Sequence, residues 1–124
     1  MLVPRVAESM YWAGRYLERA ECTARLINVH SELQLDLPRA AAPGWAPLLA
    51  VTGSVQAFAR RHDDPVEDQV VGFLAADTGH AGSVVTSLLR ARENLRTTRA
   101  LLPREAWEAL NHVVLDATDH ADSA

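Results

Sequence analysis

The chain has 124 residues, enough for one domain with a real core, though at the small end. A hydrophobic share of 48% and a charged share of 23% exclude a disordered or membrane-embedded chain, and no apolar run approaches the roughly 20 residues of a membrane span. The net charge of −4, with all twelve cationic side chains Arg and none Lys, argues against a general nucleic-acid binder, which needs a cationic surplus to displace counterions from phosphates.

The first element is the longest. Arg5 to about Asp36 contains no Pro and only Gly14, and its apolar positions fall on one broad stripe at about 100° per residue, so it is read as a long amphipathic helix with Pro4 in its first turn. Pro38 ends it, and LPRAAAPG is a connector. A second helix starts near Pro43 and carries Trp45, Leu48, Leu49, Val51, Val55 and Phe58, with Gly53 as a weak point or a close helix contact, before the polar turn ARRHDDP. Asp64, Pro65 and Glu67 form a helix start signal for a short third helix, Pro65 to about Ala75, with Val66, Val70, Phe73 and Leu74 inward. ADTGHAGS is a loop bringing Ser83 to the next start. The fourth helix, about Gly82 to Leu102, turns Val84, Leu88, Ala91, Leu95 and Leu102 inward. Pro103 stops it and begins the fifth, whose inner face is Trp107, Leu110, Val114 and Ala117; residues 119–124 are expected to fray. No strand or hairpin pattern is present. The expected architecture is all-α, a single-domain antiparallel helical bundle of about five helices built on the long first one.

Charges on the first helix raise the functional question. Glu8, Arg15 and Arg19 project along nearly the same line as Trp12, Cys22, Leu26 and Leu33. Read as the core line, it forces those charges either to pair inside the core or to line a cleft, because an unpaired buried charge costs about 3–5 kcal/mol. Arg92, Glu93, Asn94 and Arg96 on the fourth helix are the candidate partners. Glu21 and Arg25 are spaced as an ordinary surface pair, and Glu18 lies two turns before Arg25. The lone Cys22 cannot form an internal disulfide, and its place on the stripe reads as a buried structural thiol. His30, His62, His80, His112 and His120 lack metal-ligand spacing, and Glu108 with His112 alone share an i,i+4 face, so no metal and no cofactor is expected. The glycines of TGHAGS with Ser83 can hold an anion, but capping is the commoner use. No signal peptide opens the sequence; a cytoplasmic protein is expected.

RVAESMYWAGRYLERAECTARL, Trp45 and Leu48 after the linker, Phe73, Leu74 and Asp77 before the loop, SLLRARENLRTTR on the fourth helix and WEALN on the fifth together resemble the bacterial alpha-E domain. That resemblance implies an all-helical fold and an association with circularly permuted ATP-grasp ligase-like and transglutaminase-like proteins, hence a role in forming or modifying peptide or amide bonds. It places the family's charged signature on Glu8, Arg15, Glu18, Arg19, Glu21, Arg25, Arg92, Glu93, Asn94 and Arg96, with Asn111 closing WEALN. Cys22 stands where the family usually has Asn, and His80 with Ala81 where Asn-Pro is usual. Members are usually about twice this length or more, which implies that the chain corresponds to their amino-terminal part.

Two functions follow as expectations. One is a non-catalytic helical module whose Arg/Glu cleft, with Asp77 and Ser83 as further binding candidates, recognises a carboxylate, phosphate or peptide end, with a homo-oligomer or an ATP-grasp ligase-like protein as partner. The other is catalysis, with buried Glu8 or Glu93 as general acid or base. A purely structural dimerisation bundle is the bland alternative.

Overall fold

A computed structural model describes residues 2–123, with side chains over residues 4–120. The regular structure of the described residues is all helical and includes no strand: α1 (Leu2–Asp36), α2 (Ala46–Val51), α3 (Val55–Ala59), α4 (Glu67–Ala76), α5 (Val84–Arg96) and α6 (Arg104–Ser123), with a 3-10 turn at Arg99–Leu101. The protein is an all-α helical bundle built on its long first helix, which lies mainly against α5.

The expected second helix is two short ones. Thr52 donates its hydroxyl to the Leu48 and Leu49 carbonyls and Gly53 takes φ +67°, a left-handed turn that glycine adopts without steric cost, so the chain cannot continue helically. Val51 and Val55, on either side of the break, lie exposed to solvent. The third helix begins at Glu67 instead of Pro65. Val66 is its extended cap and lies exposed, while Glu67 and Asp68 occupy the first turn, where carboxylates favour the exposed N–H groups. At α5 the cap is the expected one: the Ser83 hydroxyl accepts from the Thr86 N–H at 3.1 Å. That helix stops at Arg96, earlier than expected, and the Thr97 and Thr98 hydroxyls bond back to the Asn94 and Leu95 carbonyls as it unwinds into the 3-10 turn. α6 runs through Ser123; Ala124, the last of the residues expected to fray, lies outside the described ones.

Two apolar clusters hold the bundle. The larger joins Trp45, Leu48, Leu49, Phe58, Val70, Phe73 and Leu74, with Ile27 of α1 packed against it. Phe58 meets Phe73 edge-on at 5.4 Å, and each such side chain contributes about 1.5–3 kcal/mol by burial. The linker is drawn onto α1 to complete it: Gln34 accepts from the Gly44 N–H at 2.8 Å, and the His30 ring bonds the Gly44 carbonyl at 2.6 Å while meeting Trp45 edge-on. The smaller cluster is Ala20, Leu88 and Val114, flanked by partly buried Leu17, Val84, Leu89, Leu110 and Ala117.

Candidate functional site

The fully buried positions of α1 are small residues, while larger Leu17 and Ile27 are only partly buried. The buried small residues are Ala13, Ala20 and Thr23; Ala20 clusters with Leu88 of α5, the helix against which α1 mainly lies. The stripe read as the core line from sequence is instead an exposed flank. Trp12, Cys22, Leu26 and Leu33 all lie at the surface, as do Tyr11 and Val29, with Tyr11 59% and Trp12 45% exposed. Burying this flank would have dehydrated Glu8, Arg15 and Arg19. Burying the small-residue face costs no charge and lets two helices approach closely. The thiol of Cys22, expected buried, is exposed, and of the two arrangements open for the charges, pairing in the core is not formed: Glu8, Arg15 and Arg19 are exposed, and no ion pair joins them to any described residue. Arg19 instead lies 5.9 Å from the Tyr16 ring centre.

The remaining signature residues do not meet these charges. Arg92 reaches across to α6 and donates to the Asn111 side-chain oxygen at 3.2 Å, tying the two helices. Glu93 pairs at 3.4 Å with Arg96 on the exposed face of its own helix, and Asn94 donates to the Arg90 carbonyl. Glu21 and Arg25 form the surface pair expected of them, at 2.6 Å; Glu18 is exposed. A groove of about 570 Å³ does run between α1 and α5, but α1 lines it with Arg5 and Ser9, facing Glu93, Asn94 and Thr97. Glu8 and Glu93 are both exposed, so neither has the buried setting that the general acid or base role required.

A second polar cluster was not legible as a unit in the sequence. Arg61, from the turn after α3, donates to both Asp77 carboxylate oxygens, at 2.6 and 2.7 Å, and the Gly79 N–H adds a third bond at 2.8 Å. His80 stacks on Phe73 at 4.3 Å, and its Nε2 lies 3.4 Å from the Ser54 hydroxyl. Burial works to raise the Asp77 pKa, but the Arg61 and Gly79 hydrogen bonds and the Arg61 and His80 charges together lower it. Burial is also the largest influence on His80, lowering its pKa with help from the Arg61 charge against the opposing pull of Asp77. The Ser, His and Asp here do not make a nucleophilic site. Ser54 is 3% exposed and the Asp77 oxygens are taken by Arg61, so the cluster is a clamp between the α3 turn and the loop before α5. Asp77 and Ser83, both binding candidates, act as that clamp and as a helix cap. Among the described residues no group of three or more His, Cys, Asp or Glu is placed to hold a metal ion, and no helix is long and apolar enough to cross a membrane.

Residues 2–124 match the model of a family, Alpha-E, described as a predicted alpha-helical domain with a conserved ER motif. No curated protein and no solved structure matches the chain. The sequence contains a single Glu-Arg step, Glu18–Arg19, and both side chains stand exposed on α1.

Proposed function

The chain belongs to the Alpha-E family, and from that premise we propose that it is a non-catalytic docking module acting in the cytoplasm. The observation that carries this reading is the outward flank of α1. Tyr11, Trp12, Leu26, Val29 and Leu33 stand exposed there, interspersed with Glu8, Arg15 and Arg19. Single exposed apolar residues need no explanation, but a row of them along about 38 Å of helix from Glu8 to Leu33 is an interface composition. Aromatic residues and Arg among aliphatic ones are what buried interface centres contain.

The partner is an ATP-grasp ligase-like protein, as the resemblance read from the sequence motifs implies, and the module positions it or its peptide product within a system that forms or modifies amide bonds. Recognition runs through an open helix face, with Glu18 and Arg19 on it, in place of the enclosed Arg/Glu cleft expected from sequence. The apolar cavity between α4, α5 and α6, about 560 Å³ and lined by residues such as Val71, Ala75, Val85 and Ala117, contains none of the signature charges.

The test is capture. The purified chain is mixed with the ATP-grasp ligase-like protein of the same genome and the mass of the mixture is followed by light scattering. A stable mixed complex is expected, abolished by Leu26→Asp with Leu33→Asp, while circular dichroism shows unchanged helix content. A well-folded chain that ignores the ligase overturns the proposal.

A further inference from the structure

The two halves of the outward flank of α1 differ. The C-terminal half presents Cys22, Leu26, Val29 and Leu33. The N-terminal half is an aromatic patch: Tyr11 meets Trp12 edge-on at 5.4 Å, and Trp12 lies tilted against Tyr16 at 6.3 Å. Glu8 and Arg15 bracket Tyr11 and Trp12 in that patch. They stand two helical turns apart, about 10 Å, which is too far to pair with each other. Both are exposed and neither has an ion-pair partner among the described residues. They also lie symmetrically about the midpoint between Tyr11 and Trp12.

Symmetry of this kind gives the surface a natural occupant. When two identical helices pack antiparallel about a two-fold axis, each residue faces the one reflected through the midpoint. With the axis between Tyr11 and Trp12, Glu8 of each copy faces Arg15 of the other, and Tyr11 of each faces Trp12 of the other. We propose that a second copy of this chain docks here, antiparallel, through two reciprocal Glu8–Arg15 pairs around a four-ring aromatic centre. This rests on the reading of the α1 flank as a docking surface. It assigns the N-terminal half to self-association and leaves Leu26, Val29 and Leu33 to the other partner.

Charge selects both the direction and the register. A parallel pair sets Glu8 against Glu8 and Arg15 against Arg15. An antiparallel pair centred on Cys22 covers more aliphatic surface, but it opposes Arg19 to Arg25 and Arg15 to Val29. Like charges facing each other across an interface repel and suppress that arrangement. The register also fixes the thiols: the two Cys22 residues lie about 30 Å apart along the axis, at 1.5 Å per residue.

The test is a charge swap read by light scattering over a concentration series. The wild-type chain is expected at twice its 13.6 kDa monomer mass. Glu8→Arg alone and Arg15→Glu alone each halve the mass, and the double variant, which restores complementarity with the signs reversed, returns it to the dimer. Helix content measured alongside keeps unfolding separate. A wild-type monomer at all concentrations overturns the proposal, as does a dimer indifferent to the single swaps or a double variant that stays monomeric. Oxidation that links the two copies through Cys22 overturns the register. A monomer that still captures the ligase sinks the dimer and leaves the docking function standing, whereas a charge-swappable dimer that ignores the ligase does the reverse.

Discussion

The two ends of α1 meet the rest of the protein in opposite ways. Toward its C-terminus, Ile27, His30 and Gln34 engage the linker and the aromatic cluster, and large side chains of α2, α3 and α4 fill the interior there. Toward its N-terminus and middle, the buried positions of α1 are Ala13, Ala20 and Thr23, with the larger Leu17 only partly buried, so the seam is close but thin. Small residues let helices approach without creating depth. The large side chains of that stretch, Tyr11, Trp12 and Leu26 among them, are left on the outside. One end of the helix fixes the fold, and the rest of it both closes the bundle and offers a surface.

Given that division, truncation in the deep cluster is the most damaging change. Phe73→Ala removes a fully buried ring that touches Phe58 and His80, and a loss of about 3–5 kcal/mol in urea unfolding is expected. Enlarging the thin seam comes next. Ala20→Leu forces a branched side chain into the α1 packing interface and should cost about 1–3 kcal/mol; a smaller cost would mean that the seam has slack.

The clamp at Asp77 and His80 joins the deep cluster to the α5 start and gives the fold a pH dependence. Both folded-state pKa values are lowered, so both groups contribute stability at high pH that is lost on acidification. For His80 the loss begins as pH falls below its ordinary value of 6.5 and completes as pH passes through its folded pKa. Asp77 adds a second loss once pH falls below 3.8. His80→Gln should remove the upper step and keep the lower one in thermal melts recorded across pH; an unchanged upper step would assign it to another group.

Smallest of all is the effect expected on the outer flank. Val29→Ser should leave unfolding stability within about 0.5 kcal/mol, because the side chain is already at the surface. A loss near that of Ala20→Leu would mean that the flank is packed within the chain, which would collapse the distinction between the two regions.

By itself the sequence determined the helices and much of their punctuation. Pro38, the Ser83 cap and Pro103 act locally, through a missing N–H, a hydroxyl and a fixed φ, and local chemistry is readable residue by residue. Gly53 was readable as a weak point, though not as a full break, since that took the Thr52 hydroxyl as well. Helical periodicity also placed Glu8, Arg15 and Arg19 correctly on one line with Trp12, Cys22, Leu26 and Leu33. What it could not fix was which flank of α1 faces inward, because periodicity gives the angles between side chains and not the direction of the neighbouring helix. The tertiary fold settled the direction, by the packing of α1 against its neighbours. It turned Ala13 and Ala20 toward α5, where close approach costs no charge its water, and turned the charged aromatic line outward, making a surface of what read as a core. It alone also brought Arg61 to Asp77 and His80 to Ser54, across 16 and 26 residues of chain that no local pattern connects.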